Sequence, residues 1–234
     1  MKIIHFSGTI GGELTPAWLR SELQKMNGGP VELHINSPGG QVFSGQEMID
    51  AVRNYAGQIT ARIVGTAASM ASALAAACDS VTVTDQSSWM IHKAAGAAMG
   101  NSDDFQKMQK VLDGIDNQLA NLYSQKSGKP VYEILELMRV ESWYFGSEIL
   151  EAGFADSYTE TGSAIGKTAA LIDAKARFRA AYSPPSPAEI AAYAGAVRTP
   201  AAKTRIIRPD DILAAKIAQM PIEEYLEWAE KAGY

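Results

Sequence analysis

Ile59-Thr60-Ala61-Arg62-Ile63-Val64 runs into Gly65-Thr66-Ala67-Ala68-Ser69-Met70-Ala71 and on to Cys78, and this stretch decides the fold. Ile59–Val64 is rich in β-branched residues and predicts a strand. From Ser69 to Cys78 almost every residue is Ala, Ser, Met or Leu. Small residues on all sides predict a helix that is buried around most of its circumference and packed closely. A strand delivered straight into a buried helix is the repeating unit of an α/β protein.

The same alternation continues in both directions. Lys2–Phe6, Val31–Ile35 and Ser80–Thr84 are further strand-like runs. Between the first two, Thr15 as N-cap and Pro16 at the first helical position open a helix carrying Leu19 and Leu23 inward. Ser44 with Glu47 reads as a capping box, which predicts a helix from Ser44 that buries Met48, Ile49, Val52 and Tyr55. A longer helix is expected over Asp103–Lys126, capped by Ser102 and ended by Gly128 and Pro130, with Phe105, Met108, Leu112, Ile115, Leu119 and Leu122 as its apolar stripe. Another is expected over Val131–Arg139. Strand, helix, strand, helix implies a largely parallel sheet with helices outside.

Beyond Tyr158 the composition shifts to Ala, Gly, Ser, Thr and Pro, with Ser183-Pro184-Pro185-Ser186-Pro187 reading as a linker. The division expected is a domain over residues 1–158 and a C-terminal extension over 159–234, with helical pieces at Ala169–Ala181, Pro187–Ala194 and Asp210–Lys231. Of the 234 residues, 47% are hydrophobic and 20% charged, enough to build a packed core. A net charge of −5 argues against a nucleic-acid-coating protein. The single cysteine, Cys78, excludes an intrachain disulfide and a cysteine-rich zinc site. No run is long and apolar enough for a signal peptide or a membrane span, so a cytoplasmic protein without membrane or nucleic-acid partners is expected.

Several positions could carry chemistry. Ser69 stands where a strand enters a helix, beside backbone N–H groups that the helix leaves unused, and those are the donors an acyl-transfer oxyanion needs. Taken alone, Ser69 reads first as an ordinary N-cap. His92, after the apolar Trp89-Met90-Ile91, is either a hydrogen-bonded core histidine or a general base. Asn36-Ser37-Pro38-Gly39-Gly40 is a strand-to-helix turn that could aim an N–H into a cleft; no Gly-Lys-Ser/Thr follows, so it is not a phosphate loop. Glu141 could orient an imidazole or sit solvated at the surface. His5 and His34 read as strand residues.

Together, Ile35-Asn36-Ser37-Pro38-Gly39-Gly40, Gly65–Ala71, Met90-Ile91-His92, Glu141-Ser142-Trp143-Tyr144 and Glu148–Asp156 resemble, in this order, the Clp protease proteolytic subunit family. The resemblance covers roughly residues 1–158. It implies a Clp/crotonase-type fold, a spiral of ββα units, and a serine endopeptidase. Ser69 would be the nucleophile, His92 the base and Glu141 the third member, where housekeeping enzymes have Asp. The N–H groups of Gly40 and Met70 would form the oxyanion hole, and Gly39, Gly40, Gln41 and Val42 would line a groove for an extended peptide.

The resemblance also implies a homo-oligomeric ring, with two rings stacked through the helix Asp103–Lys126, and neither metal nor cofactor. The Glu-Ser-Trp segment, a start almost directly at the first strand and the added tail resemble phage and prophage head-maturation proteases, which cut capsid or scaffold precursors in the host cytoplasm. The alternatives are a cellular paralogue working with a Clp ATPase, a crotonase-type acyl-CoA enzyme, and an inactive assembly subunit. The Pro-rich segment 183–187 is a candidate self-cleavage region because it should be exposed.

Overall fold

A computed structural model describes residues 1–161. The expected extension over 159–234, its helical pieces and its linker lie, from residue 162 on, outside the described residues. The elements run β1 (Lys2–Ser7), α1 (Pro16–Lys25), β2 (Val31–Ser37), α2 (Val42–Arg53), β3 (Ile59–Ala68), α3 (Met70–Ala76), β4 (Ser80–Thr84), β5 (Ser88–Ile91), α4 (Ser102–Ser127), α5 (Val131–Arg139), β6 (Ser142–Phe145), α6 (Ser147–Glu151) and β7 (Ser157–Thr159). This is the mixed α/β architecture that the alternation implies.

The sheet order is β1-β2-β3-β4-β7, all parallel. β3 is longer than its sequence run because it serves two partners. Its first half pairs with β4 through Thr60–Arg62, and its second half pairs with β5 through Thr66–Ala68. The sheet therefore forks along β3, and β5 takes β6 as an antiparallel partner on its other side.

Helices cover the buried face. All seven residues of α3 are buried, and their small size lets neighbouring elements approach closely. A Cβ added at Gly45 of α2 would stand 3.2 Å from Met70 Cβ, so glycine there is what lets α2 press on the start of α3. The core is completed by Trp89 stacked on Phe154 at 5.6 Å, with Tyr123 edge-on to Phe154. Each such large side chain contributes roughly 1.5–3 kcal/mol by leaving water.

Local signals held where no tertiary partner competed. Thr15 accepts from the Trp18 N–H at 3.2 Å, with Pro16 first in α1, as the sequence predicts. Two caps are corrected. α2 begins at Val42 rather than Ser44, because Ser44 bonds to the side chain of Gln41 and Glu47 pairs with Arg20 of α1 instead of turning back on the backbone. α4 is capped by Asn101 rather than Ser102: the Asn101 side chain accepts from the N–H groups of Asp103 and Asp104, and the Asp104 carboxylate accepts from the Asn101 N–H. The apolar stripe of α4 is buried from Ile115 onward, whereas Phe105 is 53% exposed, so the helix leaves the body of the domain over its first half.

Candidate active site

The fork in β3 creates the site. Register Ala68↔Met90 between β3 and β5 brings the end of one strand beside the end of the other. Ser69 follows directly on β3, and His92 directly on β5. The Ser69 N–H donates to the Met90 carbonyl at 3.0 Å, which closes the two chain ends on each other.

Ser69 has φ 55° and ψ −127°, a backbone state that L residues with a side chain rarely adopt. Such strain, of order 1–3 kcal/mol, persists only where the surroundings impose it. The result is a sharp strand-to-helix turn that thrusts the side chain outward, the geometry of an exposed nucleophile. Ser69 occupies the N-cap position of α3, yet its hydroxyl makes no cap hydrogen bond. Its Oγ lies 2.8 Å from His92 Nε2 instead. The hydroxyl therefore faces the imidazole and not the helix end.

His92 is largely withdrawn from water. Burial pulls its pKa below the usual 6.5, while the charges of Glu141 and then Asp116 push it back up. The imidazole is thereby kept neutral near pH 7, able to accept a proton and to hold it briefly beside two carboxylates.

Gly39 and Gly40 have φ 96° and 149°, and both are held tightly. The Ser37 hydroxyl donates to the Gly8 carbonyl at 2.6 Å and accepts from the Gly39 N–H at 3.1 Å. The Ile10 N–H donates to the Gly39 carbonyl at 2.8 Å, and the Gln41 N–H to the Ile10 carbonyl at 2.9 Å. A Cβ at Gly39 would stand 2.9 Å from both Met70 N and Ser69 Cβ, and a Cβ at Gly40 would collide with the Ile10 backbone. The glycine turn therefore lies directly against the Ser69–Met70 turn. Met70, first residue of α3, has no intrahelical acceptor for its N–H.

A cavity of about 410 Å³ opens over these groups, lined by Ser69, Met70, His92, Gly40, Gln41 and Val42 from the sequence-predicted set. Gly39 does not line it and stands behind, against the Ser69 turn. Glu141 is reached by a different route. Its φ is 53°, and its carboxylate accepts from Trp143 Nε1 at 3.0 Å. Trp143 in turn packs on Met90 and Ala68, so Glu141 is anchored on the strand pair that carries Ser69 and His92.

Sequence reasoning missed the rest of the lining: Thr9–Gly12 beside the glycine turn, Ala94 and Ala95 after His92, and Leu119 and Tyr123 of α4. The Gly11-Gly12 pair was a legible turn signal; nothing local marks Ala94 or Leu119. Cys78 is buried, and burial, aided by the charge of Asp79, pushes its thiol up to about 12. A thiol that does not ionise near neutrality is no nucleophile. Among the described residues no group of three or more His, Cys, Asp or Glu is placed to hold a metal ion, and no helix is long and apolar enough to cross a membrane.

The chain also resembles proteins already known. The family model described as Clp protease matches residues 17–162. The ATP-dependent Clp protease proteolytic subunit of Porphyromonas gingivalis is 28% identical over 166 residues, which is 68% of this chain and 75% of that protein. Proteolytic subunit 1 of Salinibacter ruber is 29% identical over 136 residues, 57% of this chain and 58% of the relative. Proteolytic subunit 1 of Protochlamydia amoebophila is 32% identical over 133 residues, 55% of this chain and 65% of the relative.

Proposed function

This chain belongs to the Clp protease family and is thereby a ClpP-like serine-type peptidase, and from that premise we propose that it is an endopeptidase working through Ser69, His92 and Glu141. The observation that carries the assignment is the 2.8 Å approach of Ser69 Oγ to His92 Nε2 on a strained turn. Ser69 Oγ attacks the scissile carbonyl as His92 Nε2 takes its proton. The developing oxyanion is received by the N–H groups of Gly40 and Met70. His92 then passes the proton to the leaving amine, the C–N bond breaks, and water repeats the sequence to release the acyl group from Ser69.

The peptide would lie extended along Gly40–Val42. Labelling with a fluorophosphonate tests the reading: one adduct on Ser69, together with cleavage of a fluorogenic peptide, is the expected result. An unlabelled protein that turns over an acyl-CoA would make it a crotonase-type enzyme instead. An unlabelled, inert protein that still assembles would make it an assembly subunit.

Glu141 acts on His92 as a charge and as an anchor through Trp143. Catalysis needs neutral His92, and burial lowers its pKa, so the acid limb of kcat/KM lies below pH 6.5. Removing the anion that raises that pKa moves the limb to still lower pH. Glu141→Gln is therefore expected to lower kcat while shifting the acid limb downward. A limb that stays in place, read from pH–rate profiles of the two proteins, means the carboxylate is not coupled to the base.

Two settings for this activity each have an observation in their favour. Glu141-Ser142-Trp143 and the added tail favour a phage or prophage head-maturation protease that cuts capsid or scaffold precursors in the host cytoplasm. The names of the relatives, proteolytic subunits of ATP-dependent Clp proteases, favour a cellular subunit that works with a Clp ATPase. Either setting fits a homo-oligomeric ring, single or stacked. Cleavage of a co-expressed scaffold protein without ATP supports the first, and peptide-chain degradation that requires a Clp ATPase supports the second.

A further inference from the structure

Three polar side chains lie buried directly behind the Ser69–His92 pair: Ser72, Tyr123 and Asp116, with exposures of 0%, 1% and 4%. Buried polar groups persist when their hydrogen bonds are met, and where those bonds lead shows what the groups hold. The Ser72 hydroxyl lies 2.7 Å from the carbonyl of Ser69 and 2.7 Å from that of Met90, two residues before His92. Tyr123 brings its hydroxyl to 2.8 Å from Ser72 Oγ and 3.2 Å from the Ser69 carbonyl. Two hydroxyl protons are available for two carbonyls, so Ser72 can serve Met90 while Tyr123 serves Ser69.

Asp116 holds the other side of the base. One of its oxygens accepts from the Ala94 N–H at 2.8 Å, two residues beyond His92, and the other lies 3.5 Å from Lys93 Nζ. Asp116 and Tyr123 are seven residues apart on α4, two turns along one face. The backbone of the nucleophile and both flanks of the base are thus tied to a single helix face.

We propose that Ser72, Tyr123 and Asp116 form a positioning brace, anchored on α4, that sets the separation of Ser69 and His92. This rests on the reading of that pair as nucleophile and base. None of the three reacts. Tyr123 and Ser72 hold the strained Ser69 turn against relaxation, and Asp116 stops the segment after His92 from carrying the ring away. Proton transfer from Ser69 to His92 demands a near-attack distance, and misplacement by about 1 Å costs up to 10²-fold.

The test uses the full chain and compares Tyr123→Phe, Asp116→Asn and Ser69→Ala on a fluorogenic peptide, on a fluorophosphonate and in thermal unfolding. Tyr123→Phe and Asp116→Asn are each expected to lower kcat by about ten-fold with KM within about two-fold. Fluorophosphonate labelling should slow in parallel, since the reagent needs an aligned Ser69 but no peptide groove. Wild-type kcat and labelling in both variants, with Ser69→Ala inactive, overturns the brace and leaves the nucleophile reading intact. Losses that track a fall in Tm in both variants also overturn it, because the residues are then ordinary core. Cleavage surviving in Ser69→Ala overturns the underlying reading of the site.

Discussion

Ser69→Ala is expected to lower kcat for peptide hydrolysis by about 10⁴- to 10⁶-fold, as removal of the nucleophile does in serine peptidases generally. The fold should not suffer. The Ser69 hydroxyl caps no helix, and the hydrogen bonds that hold its turn run through its backbone, from the N–H to Met90 and from Ser72 and Ala73 to the carbonyl. Alanine keeps all of these. The variant should melt within a few degrees of the parent and keep the same oligomeric state by light scattering, while a fluorogenic peptide goes uncut. A loss of less than about ten-fold is incompatible with covalent catalysis by this residue.

Gly39→Ala carries the next largest effect, and for two separable reasons. At φ 96° any side chain is strained, a cost of about 1–3 kcal/mol. The added methyl would also stand 2.6 Å from the Ala68 carbonyl and 2.9 Å from Met70 N and Ser69 Cβ, forcing the glycine turn away from the nucleophile turn. Both proposed oxyanion donors, the N–H groups of Gly40 and Met70, belong to those two turns, so their spacing opens. Loss of one donor costs about 10²- to 10³-fold in kcat, and a similar fall is expected here, with urea unfolding showing the destabilisation separately. Wild-type kcat in a folded Gly39→Ala would show that the turns need not touch and would falsify the oxyanion assignment.

What could be read in advance followed the range of the interaction. Thr15 with Pro16, the strand Ser80–Thr84 and the helix Val131–Arg139 are written in neighbouring residues, and the structure places them there. The Ser44–Glu47 signal failed because Arg20, far away in sequence, takes the carboxylate. The expected Ser102 cap failed because the helix begins one residue earlier, at Ser102 itself, which makes Asn101 the N-cap. Ser69 and His92 stood out only through their family pattern, since their meeting depends on the register of β3 with β5. Asp116 looked like any charged residue on an amphipathic helix. Its burial against Ala94 and Lys93 is a product of packing and leaves no periodic trace.

Parallel pairing also sets the order in which the domain can assemble as it is made. Every contact between β1, β2, β3, β4 and β5 joins segments separated by a crossover, and β5 receives β6 only after α4 and α5 have been made. A chain emerging from the ribosome at about 5–20 residues per second has Ser69 in hand well before His92, and both before the Glu141–Phe145 segment that flanks them. Non-local sheets of this kind also close slowly once their parts are present. Ser69 and His92 therefore pass through synthesis unaligned, and the segment that flanks them joins only when most of the domain has been translated.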